Sequence, residues 1–372
     1  MVQNMYVYAI VGITFILCLI LTPIIIKISK KLNIVDIPKD SRRVHNKPMP
    51  RIGGVAIVLS MLTIVALYYF ITKDISGISL KNDSRFFGYI FGALIIFAMG
   101  LIDDIFNLRA RYKFIFQLVA AIIIYICGIK ISGVKIPFIY TDIINFGWLD
   151  FPITLLWIIG VTNAVNLIDG LDGLAAGISA ISATALLIIF IATSASLEAI
   201  IIAAVLVGAT LGFLPFNFNP AKTFMGDVGS NFLGFTLAVI SILGFAKGYT
   251  MLAIIAPILA LGVPIFDTLF AMVRRFLKGQ PMLQPDGAHI HHRLLKMGLS
   301  QKQAVLLLYT VTSILCIIAV VIISADVWKL MLLILAIVCF IILGLLSMKK
   351  NKIKDKTISQ NMLSERENNF KK

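Results

Sequence analysis

The chain has 372 residues and a formal net charge of +15, and 59% of its residues are hydrophobic against 14% that are charged. With a mean hydropathy of +0.98, it holds more apolar surface than a soluble domain of this length could bury in one core. This excludes a soluble protein and predicts a polytopic membrane protein. The four cysteines all lie in apolar runs without paired spacing, so they indicate neither a disulfide framework nor a zinc site.

Apolar runs long enough to span a bilayer, or nearly so, occur eleven times along the chain. They are Tyr6–Ile26, Ile52–Ile71, Phe86–Leu101, Phe114–Gly128, Phe151–Val165, Leu174–Ile191, Leu197–Leu214, Val228–Phe245, Met251–Val273, Ala304–Ile323 and Val327–Leu346. No small-residue cleavage site follows the first run, so we expect a retained span rather than a signal peptide. The runs predict an all-α fold, a polytopic helical bundle of about 11 transmembrane helices.

The positive charge is distributed unevenly between the two sides of the predicted bundle. If the amino terminus lies outside, 26 of the 33 lysines and arginines fall in inside segments, as the positive-inside rule requires. We therefore expect the amino terminus outside and the carboxyl terminus in the cytoplasm. The charge then follows from topology, and we do not expect nucleic acid as a partner.

The first inside segment, residues 27–51, is basic and precedes a Gly-Gly pair that opens the next span. The basic residues Arg42, His45, Lys47 and Arg51 come shortly before that pair. Two interpretations are open: an anchor that attracts anionic lipid headgroups, and a phosphate site beside a helix start.

Two adjacent carboxylates, Asp103 and Asp104, end the third span on its predicted cytoplasmic side. The end of a helix carries partial negative charge, so this position is unfavourable unless a cation or a proton offsets it. We predict metal binding or acid–base chemistry here, with pairing to Arg109 and Arg111 as the structural alternative.

The most unusual stretch is the polar junction between the fifth and sixth spans, residues 163–173. If it is helical, Asn163, Asn166 and Asp169 follow i, i+3, i+6 spacing and share one face. Their oxygens form a set suited to Mg²⁺ or Mn²⁺. Helix capping would explain Asp169 or Asp172, but not two asparagines and two aspartates so close together.

A second junction, between the seventh and eighth spans, contains Phe224 and Asp227. Asp227 begins a helix, so it is either an N-terminal cap or part of a diphosphate and metal cradle flanked by glycines. Phe224 could stack on a nucleotide base. Between the fourth and fifth spans, the outside segment from Ile129 to Asp150 is predicted to form a short hairpin.

Two further features lie towards the carboxyl end. Asp267 lies within the ninth span, where an ion pair inside the bundle and a substrate contact are both open. The following loop places His289, His291 and His292 beside Arg293, which fits a diphosphate better than a zinc site. The tail, residues 349–372, is predicted to be a disordered basic cytoplasmic segment, and residues 1–348 a single transmembrane domain.

All five polar motifs fall on the predicted cytoplasmic face. Acidic groups for a divalent cation, basic groups for phosphates and an aromatic for a base indicate an enzyme at which a soluble nucleotide donor meets a lipid acceptor. A secondary transporter is the alternative from another class, but such proteins place their sites near the midplane between internal repeats.

These motifs together resemble the polyprenyl-phosphate N-acetylhexosamine-1-phosphate transferase superfamily over nearly the whole chain. They are Arg51-Ile-Gly-Gly54, Asp103-Asp104, Asn163 to Asp172, Phe224-Met-Gly-Asp227 and His289-Ile-His-His292. The family motif often ends in a third Asp, where this chain has Asn107, so we give that residue little catalytic weight. The His-x-His-His-Arg spacing looks like the branch that uses UDP-N-acetylglucosamine. The phospho-N-acetylmuramoyl-pentapeptide branch is the alternative.

The resemblance implies a role for each matching residue. Mg²⁺, with Mn²⁺ as a substitute, would be held by Asp227 and Asn166, and Asp227, Asp103 and Asp104 would be catalytic, the last two acting on the lipid phosphate. The nucleotide would contact Leu167, Gly170, Asp172, Phe224 and Lys47. The sugar-phosphate side would contact His289, His291, His292 and Arg293.

The implied reaction transfers N-acetylhexosamine 1-phosphate from a UDP-sugar to undecaprenyl phosphate and releases UMP, as the first membrane step of a surface glycan such as teichoic acid. An aspartyl intermediate is an alternative route. We expect a multi-pass protein of the bacterial plasma membrane with its active site on the cytoplasmic face. Expected partners are UDP-N-acetylhexosamine, undecaprenyl phosphate and membrane lipids, with a homodimer as one possible assembly.

Overall fold

In a computed structural model the chain folds almost entirely into α-helices, as predicted. The structure describes residues 2–36, 48–75, 83–134, 144–245, 251–277 and 289–324. Its helices are α1 Val2–Lys31, α2 Gly54–Ile75, α3 Asp83–Phe106, α4 Ala110–Ile126, α5 Asp150–Ile168, α6 Leu174–Ala192, α7 Leu197–Asn217, α8 Gly226–Phe245, α9 Met251–Ala260, α10 Gly262–Leu277, α11 Ile290–Lys296 and α12 Gln301–Ser324.

Within these ranges, eight helices are long and apolar enough to cross a membrane: α1, α2, α3, α5, α6, α7, α8 and α12. Of the other predicted spans, Phe114–Gly128 corresponds to α4, which has 17 residues. The last, Val327–Leu346, lies outside the described residues, as do the tail and the predicted domain boundary at residue 348. The helical bundle is therefore confirmed, while the count of eleven and the sidedness of the termini remain predictions.

The ninth predicted span, Met251–Val273, is not one helix but two, because α9 ends at Ala260 and α10 begins at Gly262. Pro264 has no N–H to donate to the carbonyl of Ala260 four residues earlier. That carbonyl instead accepts a hydrogen bond from the Ser182 hydroxyl of α6. A neighbouring helix thus satisfies the backbone group that the proline leaves free, as membrane helices with prolines require.

Short strands close two of the loops. The hairpin predicted between the fourth and fifth spans is confirmed, since β3, Gly133–Val134, pairs antiparallel with β4, Ile144–Asn145. Its location outside the cell stays a prediction. A second pair, β1 Val35–Asp36 with β2 Met49–Pro50, was not predicted. It fixes Pro50 and Arg51 directly before α2.

Helix α8 lies at the centre of the bundle. It packs against α3 and α5 above all, and also against α2, α6 and α7. Its membrane-length segment is buried over most of its residues, whereas α1 and α12 expose most of theirs. The polar residues in the first turns of α8 are consequently surrounded by protein, which is where a membrane protein can hold them.

Helix α1 packs closely against α7 through a small-residue motif. Gly208 and Gly212 are four residues apart on α7, and a Cβ atom added to either would lie 2.5 Å from a backbone oxygen of α1, that of Val11 or Phe15. Glycines at this spacing let two membrane helices approach to backbone contact. The contact holds the outer helix α1 on the bundle.

We predict that Gly212→Ala lowers the midpoint of thermal unfolding in detergent by several degrees, because the added methyl overpacks the α1–α7 contact at a cost of roughly 1–3 kcal/mol. Gly12→Ala is the matched control, since a Cβ there has no atom within 4 Å. The midpoint of that variant should be unchanged or slightly raised. Equal midpoints for the two variants would contradict the packing described for α7.

Candidate active site

The site is built around the point where the end of α3 meets the start of α8. Asp104, in the last turn of α3, accepts hydrogen bonds from the backbone N–H groups of Asp227 and Val228, at 2.9 and 3.0 Å. Its two oxygens therefore satisfy two of the unpaired donors at the amino end of α8. The positive end of α8 offsets the charge that is unfavourable at the end of α3.

Gly226 makes this junction possible. Its φ of 72° lies in the left-handed region that side chains avoid. A Cβ atom at this position would also overlap the Asp104 carboxylate and the Arg51 carbonyl oxygen. Only glycine therefore lets the chain turn into α8 directly on top of the end of α3.

Two cations sit between three carboxylates at this junction. Lys113 Nζ pairs with Asp103 and lies 3.6 Å from Asp227 Oδ1. Arg51 Nε lies 3.2 Å from Asp104 Oδ1, and its Nη2 lies 3.7 Å from Asp227 Oδ2. The sequence-based alternative of pairing with Arg109 and Arg111 is therefore not the arrangement found, since Lys113 and Arg51 pair with these carboxylates.

Asn107 has a structural role that its position in the acidic motif did not reveal. It ends α3 with a positive φ of 52°, a conformation that asparagine tolerates better than most residues. Its side-chain oxygen accepts a hydrogen bond from Arg51 Nη1 at 3.0 Å. The asparagine thus orients the guanidinium that faces Asp104 and Asp227.

Asn166 orients Asp227 from the side of α5. Its amide nitrogen donates to Asp227 Oδ1 at 2.7 Å and to the Ser230 hydroxyl at 2.8 Å. Asn231, one turn along α8, donates to the Asp227 carbonyl oxygen at 2.9 Å. The carboxylate of Asp227 is held from several directions, yet its side chain is still 19% exposed.

A pair of side-chain amides, of which Gln117 is buried, extends this network to α4. The Gln117 and Asn163 side chains exchange two hydrogen bonds, at 2.7 and 3.3 Å. Gln117 also donates to Asn231 Oδ1 at 3.1 Å. The predicted shared face of α5 is confirmed for Asn163 and Asn166, which both point into this network between α4, α5 and α8.

Asp169 lies just beyond the last residue of α5, with a ψ of 53°, so it does not continue the helical face of the two asparagines. Burial raises its pKa to about 8, with further contributions from Asp227, Asp104 and Asp172. These surroundings favour the protonated form of the carboxyl more than water does. A cation bound nearby would favour loss of that proton.

The other predicted nucleotide contacts are Leu167, Asp172, Phe224 and Lys47, besides Gly170. The Asp172 carboxylate accepts from the Asn219 side chain at 2.9 Å and the Ala221 N–H at 3.2 Å, which ties the turn to the loop before α8. The Phe224 N–H donates to the Pro50 carbonyl at 2.9 Å. Leu167 is 41% exposed, and Lys47 lies outside the described residues.

The histidine loop meets the same turn. His291 is buried, and its Nε2 occupies the place where a Cβ atom of Gly170 would lie. Burial, followed by repulsion from His292, lowers the pKa of His291 to about 4, so the ring is neutral at physiological pH. Burial also lowers the pKa of His292, with a smaller effect of His289. Arg293 is exposed beside them.

His289 has a partner on α10. Its Nδ1 lies 3.0 Å from Asp267 Oδ2, and both side chains are buried. Asp267 is therefore paired inside the protein with a histidine, and the alternative of a contact between Asp267 and substrate stays a prediction. Segments as far apart in the sequence as Arg51 and His291 are thus brought to one end of the bundle.

Two residues of the site were missed by the sequence analysis, Lys113 and Gln117. A signal was present, because Gln117 is a lone polar residue in an apolar run and Lys113 lies four residues before it, on the same helical face.

A separate polar cluster lies at the opposite end of α5, away from the site. There the Asp150 carboxylate accepts hydrogen bonds from Lys130 Nζ at 2.8 Å and from the Tyr125 hydroxyl at 2.7 Å.

The donor chemistry fits a hard divalent cation that is bound partly by a substrate. Among the described residues, no group of three or more His, Cys, Asp or Glu side chains is placed to hold a metal by itself. Mg²⁺ is commonly held by one or two carboxylates together with substrate phosphates, so a complete protein cage is not needed. The protein atoms suited to Mg²⁺ are the carboxylate oxygens of the partly exposed Asp227 and the side-chain oxygen of Asn166.

Comparison with known proteins relates the chain to membrane phosphosugar transferases. Residues 86–245 match the family described as glycosyl transferase family 4. A Bacillus subtilis protein, described as a probable undecaprenyl-phosphate N-acetylglucosaminyl 1-phosphate transferase, is 41% identical over 87% of this chain and 86% of its own length. A decaprenyl-phosphate N-acetylglucosaminephosphotransferase of Mycobacterium leprae is 34% identical over 81% and 80%. A phospho-N-acetylmuramoyl-pentapeptide-transferase of Halalkalibacterium halodurans is 33% identical over 85% and 96%.

We predict that Asp104→Asn lowers the thermal unfolding midpoint more than Asp103→Asn does. In the first variant an NH₂ group must face one of the backbone donors of α8, and loss of such a cap costs roughly 0.5–2 kcal/mol. Asp103 accepts only one backbone bond, from the Leu108 N–H at 2.7 Å, and this bond lies at the end of its own helix. A larger loss in Asp103→Asn would show that Asp104 does not hold α8 in place.

Proposed function

Because the chain belongs to glycosyl transferase family 4, we propose that it transfers N-acetylglucosamine 1-phosphate from UDP-N-acetylglucosamine to undecaprenyl phosphate. The other product is UMP. The reaction takes place on the cytoplasmic face of a bacterial plasma membrane and begins a surface glycan of the teichoic acid type.

The observation that carries this proposal is the charge pattern at the junction of α3 and α8. Carboxylates of Asp103, Asp104 and Asp227 outnumber the two cations between them, Lys113 and Arg51. A divalent cation would offset the remaining negative charge, and the two basic side chains are suited to the phosphate oxygens of a substrate. The apolar bundle around the junction suits a lipid acceptor.

The metal proposal rests on the oxygens described above. Mg²⁺ would be held by Asp227 and Asn166 together with the donor diphosphate. When bound, it would act as a Lewis acid that offsets charge on the phosphate oxygens. Asn166 orients the Asp227 carboxylate through its amide nitrogen, and Asn231 holds the backbone carbonyl of the same residue.

The two adjacent aspartates have different roles in this proposal. Asp104 uses both oxygens on the backbone of α8, so it positions Asp227. Asp103 turns its Oδ2 towards Lys113 beside Asp227, which makes it the better group to orient the lipid phosphate or accept its proton. An oxygen of that phosphate attacks the sugar-bearing β-phosphorus, and the bond to the UMP oxygen breaks.

The donor would lie across the turn after α5. Leu167, Gly170, Asp172 and Phe224, with Lys47, are proposed to contact its nucleotide. His289, His291, His292 and Arg293 are proposed to contact the sugar-phosphate side. The support is proximity, because His291 lies against Gly170 and Asp172 is bonded to the loop that leads to Phe224.

A second candidate donor is UDP-N-acetylmuramoyl-pentapeptide, because relatives that transfer the phospho-N-acetylmuramoyl-pentapeptide also align over most of the chain. The B. subtilis relative is more similar, at 41% against 33% identity. The histidine spacing of this chain also favours the N-acetylglucosamine donor.

A donor panel tests the proposal. Purified protein in detergent, with undecaprenyl phosphate and Mg²⁺, should release UMP from UDP-N-acetylglucosamine and not from UDP-N-acetylmuramoyl-pentapeptide. The reverse preference would establish the second candidate. Absence of UMP with both donors, from folded protein, would refute transferase function and favour a transporter.

We predict that Lys113→Gln lowers kcat by on the order of 10²-fold, since it removes a preorganised cation from the reacting phosphates. Lys130→Gln is the matched control: Lys130 also pairs with a carboxylate, that of Asp150, but at the other end of α5. UMP release should remain near the wild-type rate in the control. Similar rates in the two variants would remove Lys113 from the site.

A further inference from the structure

Asp267 is committed to the histidine loop with both of its oxygens. Oδ2 lies 3.0 Å from Nδ1 of His289, and Oδ1 accepts the N–H of Ile290 at 2.9 Å. The carboxylate is only 4% exposed and the imidazole 6%. A buried carboxylate without such partners would be strongly destabilising, so this contact fixes the start of α11 against α10.

The contact also determines which nitrogen of His289 is available. A carboxylate accepts hydrogen bonds, so Nδ1 carries a hydrogen, and Nε2 is the nitrogen left for another partner. Rotation of the ring would place a carbon against Asp267 and lose the bond. The geometry thus fixes both the tautomer and the direction of the ring, as carboxylates do for histidines elsewhere.

His289 is in turn linked, through His291, to the turn after α5 at residues 169–173. The two rings are parallel within 2°, with centroids 5.9 Å apart. His291 lies directly against Gly170. In the sequence, Gly170 stands between Asp169 and Asp172. Helix α10, which carries Asp267, packs on α5, whose end leads into that turn. Asp267 therefore holds the histidines in place relative to the turn on which the donor is proposed to lie.

We propose that Asp267 is a positioning residue for the phosphosugar transfer, acting through His289 by holding Nδ1 protonated and directing Nε2 to the anionic donor. This inference rests on the proposed function. It adds a residue that touches no substrate, and it accounts for a buried carboxylate outside the metal and lipid-phosphate groups.

The test is a double-mutant cycle with Asp267→Asn and His289→Ala, read as UMP release from UDP-N-acetylglucosamine and as thermal unfolding. An asparagine is the same size but must face one of the two donors with its own NH₂ group, which favours the opposite tautomer of His289. We expect kcat/KM to fall by roughly 10–100-fold, and the double variant to be no slower than His289→Ala alone. Asp267→Glu, which restores an acceptor for Nδ1, should recover part of the loss.

Asp150→Asn is the matched control, because Asp150 is also a buried, paired carboxylate. It lies sixteen residues before Asn166 on α5, roughly 24 Å away along the helix axis. It should change the unfolding midpoint and leave kcat/KM near the wild-type value. Losses that multiply in the double variant, or a loss in Asp267→Asn no larger than in Asp150→Asn, would overturn the inference. Failure of the wild-type protein to release UMP would instead overturn the proposed function.

Discussion

The rest of the site depends on one interaction, the carboxylate of Asp104 bound to the first backbone amides of α8. The contact brings together the end of α3, which carries partial negative charge, and the start of α8, which carries partial positive charge, so that the two charges offset each other. Gly226 makes the approach sterically possible. Because α8 is the central helix, this contact places Asp227 between α3, α4 and α5, and the polar groups of those helices then converge on it.

Three carboxylates share two cations in the cluster that results, and the proposed function depends on this acidic excess. Lys113 and Arg51 hold the carboxylates together in the free protein and are also the groups suited to phosphate oxygens. The same side chains would thus exchange some contacts with Asp227 for contacts with a substrate once a cation is bound. Burying such a network at the end of a membrane bundle brings it within reach of a lipid phosphate, where only a buried or water-lined position can hold charge.

Much of this arrangement could be predicted from the sequence. Apolar runs located the helices, and the unusual position of Asp103, Asp104, Asn166 and Asp227 marked them as functional, because such residues are costly at membrane depth. Other features depended on tertiary contacts. The break between α9 and α10 leaves the Ala260 carbonyl without the N–H that Pro264 lacks, and the Ser182 hydroxyl of another helix donates to that carbonyl instead. In the sequence, Lys113 was only one of the charges that set the topology, and only the fold shows that it pairs with Asp103. Asn107 was a weak match to a motif, and only the fold shows that it binds Arg51.

The central claim is that Asp227 is the protein group on which a divalent cation and the donor diphosphate assemble. Electron paramagnetic resonance of Mn²⁺ measures this directly, because the signal of free Mn²⁺ falls on binding. With UDP-N-acetylglucosamine present, the wild-type protein and Asp150→Asn should bind one Mn²⁺ per site, and Asp227→Asn should leave the signal of free Mn²⁺ undiminished at the same concentrations. Equal binding by folded Asp227→Asn and wild-type protein would contradict the account.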